Sequence, residues 1–355
     1  MRKIRKFLLG PTGQTNYYHV VSRTTGRDIL FEDDEKEVFC DLLMRQLKFS
    51  GLRALAWCFM GNHFHLLLEV PDKEAALQNW TQGDFIKRLH LLKEEWSSKL
   101  LLDEVILLQG NGGTERIQEI ADSVKARLFD LSMFMKELKL KMTLAYNKIH
   151  GRKGTLWEGP FKSVLLQGAE QGESSDALRM VAAYIDLNPI RAGLAKEPEA
   201  YRWCSYAAAV AGVRTARQGL CFAVTGKTKI TWKKVLQEYR CLLYSKGEKV
   251  VAETSGCEMD TASKGKAGFS DSQIQKVLSA GGRLPLAVAL RCRVRYFSDG
   301  AVLGNQNFVD DFFVQKKEYF GKNRDTGARK LSGAEWGDLR VLRDLKKSPI
   351  HLKTD

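Results

Sequence analysis

The chain has no long apolar run, no closely spaced cysteine pair and few histidines. Its longest uncharged apolar stretches, Ala54–Met60 and Phe64–Leu68, fall far short of the ~20 residues that a membrane-spanning helix needs. No membrane attachment is expected. The seven cysteines, at 40, 58, 204, 221, 241, 257 and 292, include no Cys-x-x-Cys. That argues against a disulfide scaffold and a cysteine zinc site, and suits a reducing, cytoplasmic setting. Behind the basic start, Met1-Arg-Lys-Ile-Arg-Lys, the apolar piece is only Phe7-Leu8-Leu9, too short for a signal-peptide core. Acidic residues are in deficit: 42 Asp and Glu stand against 56 Lys and Arg, a formal charge of +14. A chain this basic usually meets a polyanion, most often nucleic acid. With 44% hydrophobic and 10% aromatic residues, wholesale disorder is excluded. The 355 residues suffice for one large domain or two ordinary ones.

Residues 15–23 are rich in β-branched and aromatic types and predict a strand. Val38, Phe39, Leu42, Leu43 and Leu47 recur at spacings of three and four, so 31–49 predicts an amphipathic helix. Its acidic start (Glu32–Glu35) matches the helix dipole. Ala54–Met60 and His63–Val70 read as a hairpin about Gly61-Asn62. Residues 71–130 are charged and helical in composition, interrupted at Gly110, Gly112 and Gly113. A helix over 132–146, a strand over 161–166 and a Gly/Ser-rich loop follow. A helix is then expected over 176–187, with Ser174 or Ser175 as cap and Pro189 as a stop. Beyond residue 212 the pattern changes. Lys227–Lys246 predicts a basic helix, 247–270 a polar linker, and Ile274–Leu278 and Phe308–Phe320 further helices.

The chemistry centres on the six histidines, of which His63 and His65 flank Phe64. In a strand, alternate side chains share a face, so the two imidazoles point together and can share a metal ion. A pair of structural histidines would look the same in isolation. The surroundings discriminate: Leu67 and Leu68 replace the Asp and His of the metallo-β-lactamase pattern, and Leu67 the third histidine of the histidine-triad hydrolases. What remains is the histidine–hydrophobic–histidine arrangement of single-strand DNA nucleases, which also needs a helix-borne tyrosine nucleophile. Tyr184 and Asn188, at i and i+4, would project from one helix face. Tyr146, also on a predicted helix, competes for the role.

Several segments, in order, carry a resemblance: Tyr18-His-Val-Val-Ser-Arg23, Ala56-Trp-Cys-Phe-Met-Gly-Asn-His-Phe-His65, Gly154-Thr-Leu-Trp-Glu-Gly159, Phe161-Lys-Ser163, Tyr184-Ile-Asp-Leu-Asn-Pro-Ile-Arg-Ala-Gly-Leu194 and Tyr201-Arg-Trp-Cys-Ser-Tyr206. Over residues 15–210 the chain resembles the REP-associated tyrosine transposases, relatives of the single-tyrosine transposases of simple insertion sequences. The resemblance implies an α+β fold: a ferredoxin-like antiparallel sheet with helices, holding the histidine pair, and a mostly helical C-terminal extension. It divides the chain into a catalytic domain over 1–212, with an insertion at about 71–130, and a basic extension over 213–355 that is expected to bind DNA.

The resemblance also implies that Tyr184 is the nucleophile and that Asn188 joins His63 and His65 as metal ligands. Two imidazoles and an amide facing an oxygen-rich substrate suit Mg²⁺ or Mn²⁺. The implied partner is single-stranded or hairpin DNA from palindromic repeats, which would place the protein at the nucleoid. Lys162, Arg191 and Trp157 are the expected DNA contacts, Trp157 by base stacking. One departure stands out: Pro160 replaces the usual arginine of Gly-Arg-Phe-Lys-Ser. Two other readings compete, a domesticated hairpin-DNA-binding protein without transposition activity and a zinc hydrolase of small phosphates. Neither the target sequence nor the oligomeric state, monomer or homodimer, follows from the sequence.

Overall fold

The computed structural model describes residues 10–244 and 286–343, apart from positions 94, 112, 171, 292, 293, 322, 333 and 335. The expected linker at 247–270 and helix at Ile274–Leu278 lie outside them. Strand β1 (Asn16–Arg23), helix α1 (Asp33–Ser50), and strands β2 (Arg53–Phe59) and β3 (His63–Val70) open the fold. The backbone N–H of Glu32 donates to the Glu35 carboxylate at the start of α1, as an acidic first turn favours. Helices α2 (Lys73–Leu77), α3 (Gln82–Leu89), α4 (Trp96–Asn111) and α5 (Thr114–Arg127) follow. They bury Leu77, Phe85, Leu89, Val105, Ile120 and Val124 in a core of their own, which meets α1 at Phe49. Helix α6 (Leu131–Ile149) then leads to β4 (Lys162–Leu166).

These four strands lie in the order β2-β3-β1-β4, with antiparallel pairing throughout. Together with α1 and α6 they make the ferredoxin-like arrangement. On one face Phe64, Phe59 and Trp157 pack against Phe39 of α1, with Phe39 and Phe59 ring centroids 4.4 Å apart. Burial of each such ring is worth roughly 1.5–3 kcal/mol. On the other face lie α7 (Asp176–Asp186), α8 (Asn188–Arg191), α9 (Ser205–Val210), α10 (Arg214–Thr225) and α11 (Trp232–Tyr244). Gly219 lets α10 approach β2, since a Cβ there would sit 2.6 Å from the Ala54 carbonyl oxygen.

The extension, to which α10 and α11 already belong, is largely helical, adding α12 (Leu286–Arg291), α13 (Arg295–Asp299) and α14 (Gln306–Gln315), but it also enlarges the sheet. Strand β5 (Val302–Gly304) pairs in parallel with β4, and β6 (Arg329–Lys330) and β7 (Arg340–Leu342) complete a seven-stranded sheet. The extension and the region before it share one hydrophobic core, in which Phe297, Val302 and Leu303 are fully buried beside Val164 and Leu165. Among the described residues no helix is long and apolar enough to cross a membrane.

A buried carboxylate ties the helices of the second face together. Asp186 accepts hydrogen bonds from Ser205 Oγ at 2.7 Å, the Tyr206 backbone N–H at 3.0 Å and Tyr239 Oη at 2.6 Å. Burial pushes its carboxyl up to about 6, and these donors pull in the opposite direction. Asp186→Ala would leave three donors unpaired and is expected to cost about 2–4 kcal/mol, read as a lower urea midpoint. An unchanged midpoint would show that the network does not hold α7 to α9 and α11.

Candidate active site

The hairpin's short Gly61-Asn62 turn starts β3 at His63, and strand alternation sends His63 and His65 to the face opposite Phe64. Their ring centroids are 5.2 Å apart. His63 Nδ1 faces the Asn62 side-chain oxygen at 2.7 Å. His65 Nδ1 lies 2.9 Å from Nε2 of His19, a β1 residue whose ring lies edge to edge with that of His65, planes within 18° and centroids 5.1 Å apart. His19 Nδ1 in turn faces the Phe297 carbonyl oxygen at 2.7 Å. Burial, above all, lowers the pKa of His19 to about 4 and holds that of His65 well below the ordinary imidazole value. Both rings are therefore neutral at pH 7, the state that ligation requires.

Helix α7 brings Tyr184 over this pair. The Ser175 hydroxyl caps the helix by accepting from the Leu178 N–H at 3.1 Å, as its Ser-Ser start predicts. The helix does not run to Pro189. It breaks at Leu187, and Pro189 falls in the first turn of α8, where its missing N–H is not needed. Tyr184 stays above the histidines, its ring edge-on at 6.1 Å from His65 and 6.2 Å from His19. Phe297 packs at 5.1 Å and the Arg191 guanidinium covers the ring at 3.8 Å. The tyrosine is only 3% exposed.

Asn188 also reaches the pair. Its Nδ2 lies 3.2 Å from His63 Nε2, and its Oδ1 accepts from Arg191 Nη2 at 3.1 Å. Arg191 Nη1 donates to the Leu290 carbonyl at 3.0 Å. The expected residues His63, His65, Tyr184, Asn188 and Arg191 thus converge from β3, α7 and α8. His19 and the Phe297 carbonyl join them without having been singled out by the sequence. The signals for His19 were its place in the Tyr18–Arg23 segment and its even spacing with Val21 and Arg23, which β1 pairs with His65 and His63.

Other expected residues lie elsewhere. Tyr146 is on the far side of the sheet, stacked on His150 at 4.2 Å and edge-on to Phe31 at 6.2 Å. Trp157 is also on that side, so its expected base-stacking role is corrected. Its ring is buried among Phe31, Phe39 and Phe64, and its Nε1 donates to the Lys139 carbonyl at 3.1 Å and to Thr143 Oγ1 at 3.0 Å. Lys162 is exposed on β4 and pairs with Asp299 at 3.1 Å. The residue next to Pro160, Phe161, packs partly buried against the main core.

Among the described residues no group of three or more His, Cys, Asp or Glu side chains is placed to hold a metal ion. A metal at this site would rest on His63 Nε2, His65 Nε2 and the Asn188 amide. The first two fit, because each Nδ1 already has a partner. The third would need a half-turn that exchanges Nδ2 for Oδ1 and gives up the hydrogen bond from Arg191. So sparse and neutral a donor set suits an exchangeable divalent cation whose shell substrate oxygens complete, and does not suit a closed zinc centre.

The site therefore gathers a histidine pair and a helix-borne tyrosine on a ferredoxin-like sheet. Residues 13–83 match the family described as "Transposase IS200 like", a stretch that includes both histidines, and this bears out the resemblance seen in the sequence. A solved structure titled "Structure of the REP associates tyrosine transposase bound to a REP hairpin" also aligns, at 14% identity and a TM-score of 0.35, covering 60% of this chain and 87% of that one. No curated protein matches the chain.

Trp157→Ala is expected to cost about 3–5 kcal/mol of stability, measured by chemical denaturation, with unaltered DNA affinity of the folded protein. Lost DNA affinity at unchanged stability would restore the stacking role.

Proposed function

We propose that this chain is a divalent-metal-dependent strand transferase that cleaves single-stranded DNA, presented beside a hairpin, through a 5′-phosphotyrosine on Tyr184. The convergence of Tyr184 with His63 and His65, from elements more than a hundred residues apart in the chain, is the observation that carries this reading. His63, His65 and Asn188 would hold Mg²⁺ or Mn²⁺, which when bound supplies Lewis-acid charge to the scissile phosphate. Tyr184 Oη attacks phosphorus, the phenol loses its proton, and the bond to the 3′ oxygen breaks. The 3′-oxygen leaves as a hydroxyl that can later reverse the step on the same or another 5′ end. No nucleotide cofactor is consumed, because the phosphotyrosine keeps the bond energy. Arg191 adds fixed positive charge against the ring where the phosphate arrives. Because Tyr184 is enclosed by Phe297 and Arg191, attack requires the ring or its cover to move. The net positive charge supports backbone contacts that draw DNA in.

That enclosure favours a second reading, a hairpin-DNA-binding protein that does not cut. Covalent trapping separates the two. With labelled single-stranded hairpin DNA and Mn²⁺, the wild-type protein is expected to yield an adduct stable on denaturing gels. Tyr184→Phe should yield none while remaining folded, since it removes one oxygen and keeps the ring. Mass spectrometry should place the nucleotide on the peptide containing Tyr184. A mobility shift with no adduct would establish the binder.

His63→Ala and His65→Ala are expected to abolish the adduct yet retain hairpin binding, because affinity comes from phosphate contacts. That binding should fall steeply with salt in gel-shift titrations. Wild-type cleavage by either variant would remove the pair from the chemistry.

A further inference from the structure

His19 is fully buried beneath the site, and the proposed chemistry does not use it. Its hydrogen bonds nevertheless have a fixed direction. A carbonyl oxygen only accepts, so His19 Nδ1, 2.7 Å from the Phe297 oxygen, carries the ring's proton. In a neutral imidazole the other nitrogen then holds a lone pair. His19 Nε2 therefore accepts, and the nitrogen it faces at 2.9 Å, His65 Nδ1, donates. That leaves His65 Nε2 without a proton. We propose that His19, held by the Phe297 carbonyl, is a positioning residue that locks His65 in the Nδ1–H tautomer, so that its Nε2 lone pair is always offered to the divalent cation.

The proposal rests on the reading of His63 and His65 as metal ligands. It goes further by giving the extension a part in the site. His63 reaches the same tautomer locally, because the Asn62 side-chain oxygen accepts from its Nδ1 at 2.7 Å. His65 reaches it through a residue of β1 and a backbone carbonyl of α13, 278 positions from His19 along the chain. The two rings lie edge to edge with planes within 18°, the in-plane geometry that a hydrogen bond between ring nitrogens needs. Outer hydrogen-bond partners of this kind fix the ring orientation of metal-ligating histidines and typically change affinity by about 10–100-fold when removed.

The test uses the full-length protein with ¹⁵N-labelled histidine rings, free of metal. Long-range ¹H–¹⁵N spectra distinguish protonated from bare ring nitrogens. The wild-type spectrum is expected to show His65 with Nδ1 protonated and Nε2 bare. A wild-type His65 carrying its proton on Nε2 overturns the proposal without need of any variant. In His19→Leu, His65 should populate both tautomers, and Mn²⁺ affinity, followed by electron paramagnetic resonance, should fall about 10–100-fold. His19→Gln, whose amide oxygen can accept from His65 Nδ1, should recover most of that affinity. Equal Mn²⁺ affinity in wild type and His19→Leu overturns the proposal. If the wild type binds no Mn²⁺ while His65 keeps the Nδ1–H tautomer and loses it in His19→Leu, the lock to His19 is supported and the ligand reading alone fails.

Discussion

The site depends on one constraint, the period-two alternation of β3. The strand is paired on both edges, by β2 and β1, and covered on both faces, so a shift of one residue would exchange its two sets of side chains. Phe64, Leu66 and Leu68, all fully buried, fill the core beneath α1 and α6. The same register that seats them presents His63 and His65 to α7. The apolar core therefore aims the imidazoles: a one-residue slip would turn Phe64, Leu66 and Leu68 against α7 and drive both imidazoles into the core beneath α1 and α6. No loop positions either histidine, and a rigid strand is the better support for side chains that must be held within a fraction of an ångström.

The tyrosine is held with comparable firmness from behind. Asp186 lies two residues from Tyr184 and two from Asn188, and its carboxylate joins α7 to α9 and α11. On the other side, Phe297 and the Leu290 carbonyl reach Tyr184 and Arg191 from the extension. Tyr184 with its helix, the Asn188 amide and Arg191 are thus clamped between α9 and α11 on one side and a segment about a hundred residues later on the other. The extension is a wall of the site as well as an enlargement of the sheet.

Local periodicity made much of this legible. The strand at 15–23, the helix beginning near Asp33, the hairpin about Gly61-Asn62 and the cap at Ser175 all follow from short-range physics, and they appear within a residue or two of expectation. The parity of His63 and His65 and the four-residue spacing of Tyr184 and Asn188 needed no tertiary information. What could not be read depends on long-range pairing. Trp157 carries a stacking side chain in a basic neighbourhood, and only the packing of α6 on the sheet shows that its ring is filled on both sides. His19 becomes part of the site through the register of β1 on β3. The strands at 302–304 and 340–342 are three residues long, too short to declare themselves until β4 supplies a ladder.

That last pairing bears on how the protein behaves at high concentration. An unpaired strand rim is a template for another chain, and natural sheets blunt it with brevity, charge or a cover. Here β4 would be the outer strand of the four-stranded unit, but β5 occupies its ladder. The sheet then tapers to β6, two exposed basic residues, Arg329 and Lys330. At the opposite rim the Phe59 N–H of β2 donates to the Trp203 carbonyl at 3.1 Å, and the backbones of Cys58 and Cys204, both free thiols, pair in an isolated antiparallel β-bridge. Among the described residues, one rim is thus short and charged and the other is capped at its end, two of the devices by which natural sheets discourage strand exchange with a neighbouring copy.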